Sequence, residues 1–304
     1  MGVHSQHMSI NYHLHRQCAL AVFGALVIVA AARPVGAQVG LGLSPMRLEL
    51  RMAGGQQYSG SLKLSSAVEG KARIRGEVLD FHIDDKATPQ FERDLPQEAA
   101  YSCKKWLSLN PMEIELDKGG FLSVRYTLRV PEGVPEGSYN CASGFTTLPP
   151  AEQVAGMGMR VAVRVVAAFY IVVGSPPIQG KLKEIKLEPV PPEKESEEGG
   201  WQAVVVLENS GLMFYRPTGK LEVLNGEGKA VETLDFPSLP VLRQRDQRFL
   251  FPLKTHLDVG HYKLRARVDI GTGEIQEGLL DVALEPTPET PDVQPPPAAQ
   301  KPGQ

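Results

Sequence analysis

Glu136-Gly137-Ser138-Tyr139-Asn140-Cys141 and Asp258-Val259-Gly260-His261-Tyr262-Lys263 share one pattern: an acidic residue, then a glycine, then a tyrosine two positions after the glycine. This is the spacing of a tyrosine corner, in which a phenol ties the loop entering a strand back to the backbone. One short copy carries little weight. Two copies, each just before the last two strand-like runs of its own half, divide the chain into two sandwiches of one kind.

Seven such runs precede Gly174. They are Gly40–Met52, Tyr58–Ser65, Ala72–Ile83, Trp106–Leu116, Phe121–Val130, Gly137–Thr147 and Met159–Val173. Asp84 to Ser102, polar and proline-bearing, is expected to be one long loop, and Pro111 should bend or edge the fourth run. Pro176-Pro177 marks a linker, after which the pattern restarts. Gly180–Leu187, Trp201–Glu208, Lys220–Leu224, Ala230–Phe236, Gln247–Leu253, Gly260–Asp269 and Glu274–Leu284 make the second set. Asn225-Gly226 between the third and fourth of these is a hairpin signal. Short strands at this spacing predict an all-β chain of two tandem immunoglobulin-like, seven-strand sandwiches. The expected divisions are a leader over 1–37, domains over 38–175 and 178–285, and a proline-rich disordered tail over 286–304.

The leader is read from Ala19–Ala32, 14 apolar residues that follow Arg16 and precede Val35-Gly36-Ala37. Such a run is short of the roughly 20 residues a membrane-spanning helix needs, so a signal peptide cleaved after Ala37 is expected, with no stable membrane anchor afterwards. Cys18 lies before the apolar run rather than after it, which excludes lipid attachment there. Export leaves Cys103 and Cys141, 38 positions apart. An even pair in an exported chain reads as a disulfide rather than as two buried thiols.

Little in the sequence points to chemistry. A net charge of −3 excludes a nucleic-acid binder held by basic excess. His82 beside Asp84 and Asp85 lacks a second histidine at ligand spacing, so no metal is expected. Ser102-Cys103-Lys104-Lys105 contains S-x-x-K without the partner motifs of serine acyl-enzymes. No nucleophile elbow, zinc-protease motif or phosphate loop occurs, and the expectation is a non-enzyme with no cofactor and no small-molecule substrate.

The seventh run, Met159–Val173, is apolar on both faces. Val161, Val163, Val165, Ala167, Phe169, Ile171 and Val173 alternate with Ala162, Arg164, Val166, Ala168, Tyr170 and Val172. A sandwich strand should be polar on its solvent face. Either the second domain or a loop covers the outer face, or a partner strand packs there by β-augmentation. The pattern does not choose the face, because a one-residue slip exchanges the two sets.

The order of features resembles periplasmic pilus-assembly chaperones of the PapD-like superfamily. The resemblance rests on GLGLSPMRLELRMAGGQ (Gly40–Gln56), WLSLNP with Gly119-Gly120, SVRYTLRVP and GSYNCASGF. In the second half it rests on LENSGLMFYRPTGKLEVL and LDVGHYKLRARV, and altogether it covers nearly all of Gly40 to Leu284. It implies a periplasmic protein binding pilin-like or other β-rich subunits by strand donation, with an outer-membrane usher as a further partner. By the same resemblance Val161, Val163, Val165 and Ala167 would contact the client. Arg47 would be one of two cleft cations that hold the client's terminal carboxylate. The family's second cation, a lysine late in the seventh strand, is replaced by Ala167-Ala168-Phe169-Tyr170, and Arg164 is the nearest charge. The alternative is a non-catalytic structural or adhesive scaffold, secreted or on the cell surface.

Overall fold

The computed structural model describes residues 40–148, 162–192 and 199–285, with the side chains of 98 and 99 excepted. The expected leader, the expected tail and Val161 lie outside the described residues.

Two sandwiches follow one another within one compact unit. The first begins with β1 (Leu41–Ser44), β2 (Arg47–Met52), β3 (Gln57–Ser66), β4 (Lys71–Ile83) and β5 (Pro89–Glu92). It continues through β6 (Leu107–Asn110), β7 (Glu113–Asp117), β8 (Phe121–Arg129), β9 (Gly137–Thr147) and β10 (Arg164–Val173). One sheet has the order β1-β3-β8-β6; the other runs β2-β10-β9-β4-β5, with β7 also on β4. Two of the expected runs are therefore each split between sheets. Pro45 separates β1 from β2 and Pro111 separates β6 from β7. A proline has no N–H to give a ladder, so each break falls where pairing must lapse.

The stretch read as one long loop, Asp84 to Ser102, is more ordered than expected. It holds β5, paired with β4 from Asp80↔Glu92 to Ile83↔Pro89, and a 3-10 turn over Pro96–Tyr101. The Asp84 carboxylate closes the β4–β5 turn by accepting from the Lys86 and Thr88 amides, both at 2.9 Å, and from Gln90 Nε2 at 2.7 Å. These bonds hold its pKa below the usual carboxylate range. Asp84 is thus a turn-closing residue.

The second sandwich comprises β11 (Gly180–Val190), β12 (Gly200–Asn209), β13 (Thr218–Asn225), β14 (Ala230–Asp235), β15 (Arg245–Pro252), β16 (Gly260–Asp269) and β17 (Ile275–Leu284). Its sheets have the orders β11-β12-β15 and β14-β13-β16-β17. The β13–β14 hairpin turns at Asn225-Gly226, where the Asn225 side chain accepts from the Glu227 and Lys229 amides. In most strands inward positions alternate with exposed ones, β9 and the later half of β10 being buried on both faces, and each sandwich has its own core: Leu62, Leu64, Val124, Phe145, Phe169 and Ile171 in the first, Val205, Leu207, Leu221, Phe249 and Leu264 in the second.

Cys103 and Cys141 are joined by a 2.01 Å disulfide, both sulfurs fully buried. It fastens the end of the Asp84–Ser102 segment to β9. The Tyr139 hydroxyl donates to the Pro135 carbonyl at 2.9 Å, the geometry of a tyrosine corner. Tyr262 differs. It is half-buried against the second core, and its hydroxyl has no hydrogen bond among the described residues. The comparable bond in that half comes from Tyr215, whose hydroxyl donates to the Glu208 carbonyl at 2.8 Å and whose pKa burial pushes up.

Candidate functional site: an open strand edge beside an arginine-lined cleft

β10 pairs along its whole length with β9, from Arg164↔Thr146 to Val173↔Gly137. On its other side it pairs with β2, in parallel, and only from Ala168↔Arg47 onward. Arg164 to Ala167 therefore have no strand hydrogen-bonded to them on that side among the described residues. Hydrogen-bond direction follows from the two ends. Val163 exchanges bonds with Thr147 on β9, whereas the Ala168 amide donates to the Met46 carbonyl on the β2 side. By alternation, the Arg164 and Val166 amides and carbonyls point to the open side.

The two faces of β10 have different coverings. Val165, Ala167, Phe169, Ile171 and Val173 turn into the first core, with Ala167 fully buried and Val165 partly so. Val166, Ala168, Tyr170 and Val172 belong to a separate cluster with Leu79, Phe81, Ala142, Phe214 and Leu242. Phe214 and Leu242 come from the connections following β12 and β14, so the second sandwich covers the outer face of β10's later half. The stripe expected over Val161, Val163, Val165 and Ala167 is accordingly not a free surface throughout. Val163 and Val165 are half-buried, while Ala167 is core.

Arg164 is not a cleft residue. Its guanidinium bonds Glu77 Oε1 at 2.9 Å and Thr146 Oγ1 at 3.1 Å, and Glu77 also takes Arg93 at 2.7 Å. It cross-links β10, β9 and β4 on the outer face.

The cleft forms where β2 faces the second sandwich. Arg47, Glu49 and Arg51 share one face of β2, beside Ala168, Tyr170 and Val172. Arg47 lies 3.6 Å from Glu49 and reaches Ser238 Oγ at 3.5 Å. Arg216, in the connection after β12, bonds Glu49 at 2.8 Å and the Ser238 carbonyl at 3.2 Å, with its guanidinium 4.8 Å from the Tyr170 ring centre. Burial raises the Tyr170 pKa against the opposing pull of Arg216. Two arginines, one from each sandwich, thus hold one glutamate, leaving an excess of positive charge.

Arg216 was missed by sequence reasoning, yet Leu212-Met213-Phe214-Tyr215 just before it carried a signal. Large apolar residues in a connection between strands mark a contact surface, and here Phe214 packs on Tyr170 with Met213 beside it, while Leu212 stays exposed. Ser102 and Lys104 are structural: Ser102 donates to buried Asp80, and Lys104 bonds Asp94 at 2.7 Å and Asp80 at 3.5 Å.

Among solved structures, the chain is similar to the chaperone CfaA of class 5 fimbriae, at 11% identity over 81% of this chain and 100% of that one, TM-score 0.40. It is similar to the CupB2 chaperone of Pseudomonas aeruginosa at 13% identity over 80% and 100%, TM-score 0.39. It also matches the CsuC–CsuE chaperone–tip subunit complex of Acinetobacter baumannii at 11% identity over 79% and 97%, TM-score 0.40. The likeness is to fimbrial chaperones. At these identities and scores it says nothing of what this chain does. No family model and no curated protein matches the sequence.

Proposed function

We propose that this protein is a periplasmic chaperone-like protein, and that the open side of β10 at Arg164–Ala167 takes up a strand of a β-rich client subunit during assembly of a pilus or another surface structure. The observation that carries the reading is the half-length pairing of β10 with β2. An edge presenting free amides and carbonyls beside half-buried Val163, Val165 and Val166 suits main-chain pairing with side-chain pockets. The adjacent cleft supports it, since Arg47 and Arg216, one from each sandwich, supply the paired positive charge suited to a client's terminal carboxylate. No reaction is assigned.

The scaffold reading draws on a different observation, the burial of Ala168–Val173 by the second sandwich, which gives the apolar outer face a purely internal purpose. Co-purification from the native periplasm separates the two. The chaperone reading expects a β-rich subunit at near equal stoichiometry with the wild type and its loss with Val166→Pro, which blocks an amide on the open side without removing a ladder bond. A Val166→Pro protein that retains its subunit, or a wild type that carries none, favours the scaffold.

A further inference from the structure

Arg243 lies in the connection between β14 and β15, is only 8% exposed, and reaches out of the second sandwich into the first. Its guanidinium sits 4.3 Å from the Tyr101 ring centre and 5.4 Å from that of Tyr139, and it donates to the Ser138 carbonyl at 3.3 Å. The floor of this slot is Gly137, where a Cβ would stand 2.4 Å from Arg243 Nη1 and displace the guanidinium. The Tyr139 wall is fixed from behind by its bond to Pro135 and by the Trp106 ring at 4.6 Å. The Tyr101 wall is different. It ends a short 3-10 helix, its hydroxyl donates to Gln244 Oε1 at 2.6 Å, and two residues later Cys103 bonds Cys141 on β9.

We propose that the Cys103–Cys141 disulfide acts across the boundary between the sandwiches: it holds Tyr101 over Arg243 and thereby fixes how the second sandwich sits on the first. Arg243 and Tyr101 are positioning residues in this account. Next to the slot, the Ser138 amide donates to the Leu212 carbonyl at 2.8 Å and the Phe214 amide to Ser138 Oγ at 3.0 Å. These two amides report directly on the boundary. The same seating brings Arg216 and Ser238 to Arg47 and Glu49, so the width of the cleft depends on it. The inference stands whether or not a client binds there.

Amide exchange read by NMR on the full mature chain tests it. In Arg243→Ala with the disulfide intact, the Ser138 and Phe214 amides should exchange at least tenfold faster while Phe169 and Ile171 within the β9–β10 ladder keep their rates; in Cys103→Ala/Cys141→Ala the whole first sandwich exchanges faster, and the two boundary amides should gain at least tenfold more than Phe169 and Ile171. Tyr101→Ala leaves the disulfide in place and removes only the wall it supports. It should speed the same two amides, and unchanged exchange in that variant overturns the proposal even if the double cysteine variant fails to fold. A folded double variant whose boundary amides gain no more than Phe169 and Ile171 also overturns it, leaving the disulfide a staple of the first sandwich alone.

Discussion

The two halves of β10 read alike in sequence and behave differently in the fold. From Ala168 to Val173 the strand has β9 on one side, β2 on the other, the first core beneath and Phe214 and Leu242 above. From Arg164 to Ala167 it has β9 and the core but no paired strand on the second side among the described residues. Hydrophobicity therefore does not separate a strand's structural half from its binding half. What separates them is where the neighbouring strand begins, and that is set by Pro45, at which the chain leaves β3 and crosses to β10.

The sharpest break between the halves is expected from burying a charge. Phe169→Asp places a carboxylate in a fully buried site and should cost more than about 4 kcal/mol, enough to unfold the first sandwich. Val166→Pro, three residues earlier, should change stability by less than about 1 kcal/mol while lowering client retention at least tenfold. Paired denaturant melts and co-purification read both. A Val166→Pro protein that unfolds like Phe169→Asp would make the early half ordinary core.

Next in size is the bridge beneath β10. Cys141→Ser should cost the first sandwich about 3–4 kcal/mol on the chain-entropy account, with the intrinsic stability of the second nearly unchanged. Calorimetry of the full chain should show one transition falling and the other staying put. Equal falls in both would mean that the sandwiches unfold as one unit.

Much of this architecture was legible. Alternation and turn residues located the strand-like runs, and the paired glycine–tyrosine motifs divided them into two sandwiches. The sequence did not disclose the sheet-switching at Pro45 and Pro111, because a break in pairing and a change of partner sheet look identical along one chain. It did not disclose β5, whose four residues are too few for a pattern and depend on the Asp84 turn. Nor could it place Arg216 or Arg243 against the first sandwich, since both lie in connections whose destination is a tertiary property. The reading of Tyr262 as a second corner rested on spacing alone, and the fold gives that bond to Tyr215 instead.

The smallest expected effect sharpens that last contrast. Tyr139→Phe removes a half-buried hydrogen bond to Pro135 and should cost about 0.5–1.5 kcal/mol, whereas Tyr262→Phe should fall within about 0.5 kcal/mol of zero. Equilibrium unfolding of the two variants side by side measures the difference, and equal losses would restore a second tyrosine corner.

The central claim is that a client strand lies along the open side of β10. In-cell photocrosslinking in the native host tests it most directly, with benzoylphenylalanine at Val166 and, as a control, at exposed Val231 on β14. The account predicts one dominant adduct from position 166, with mass mapping placing the crosslink in an edge strand of a β-rich polypeptide, and none from position 231. No adduct at 166, or the same adducts from both positions, would contradict it.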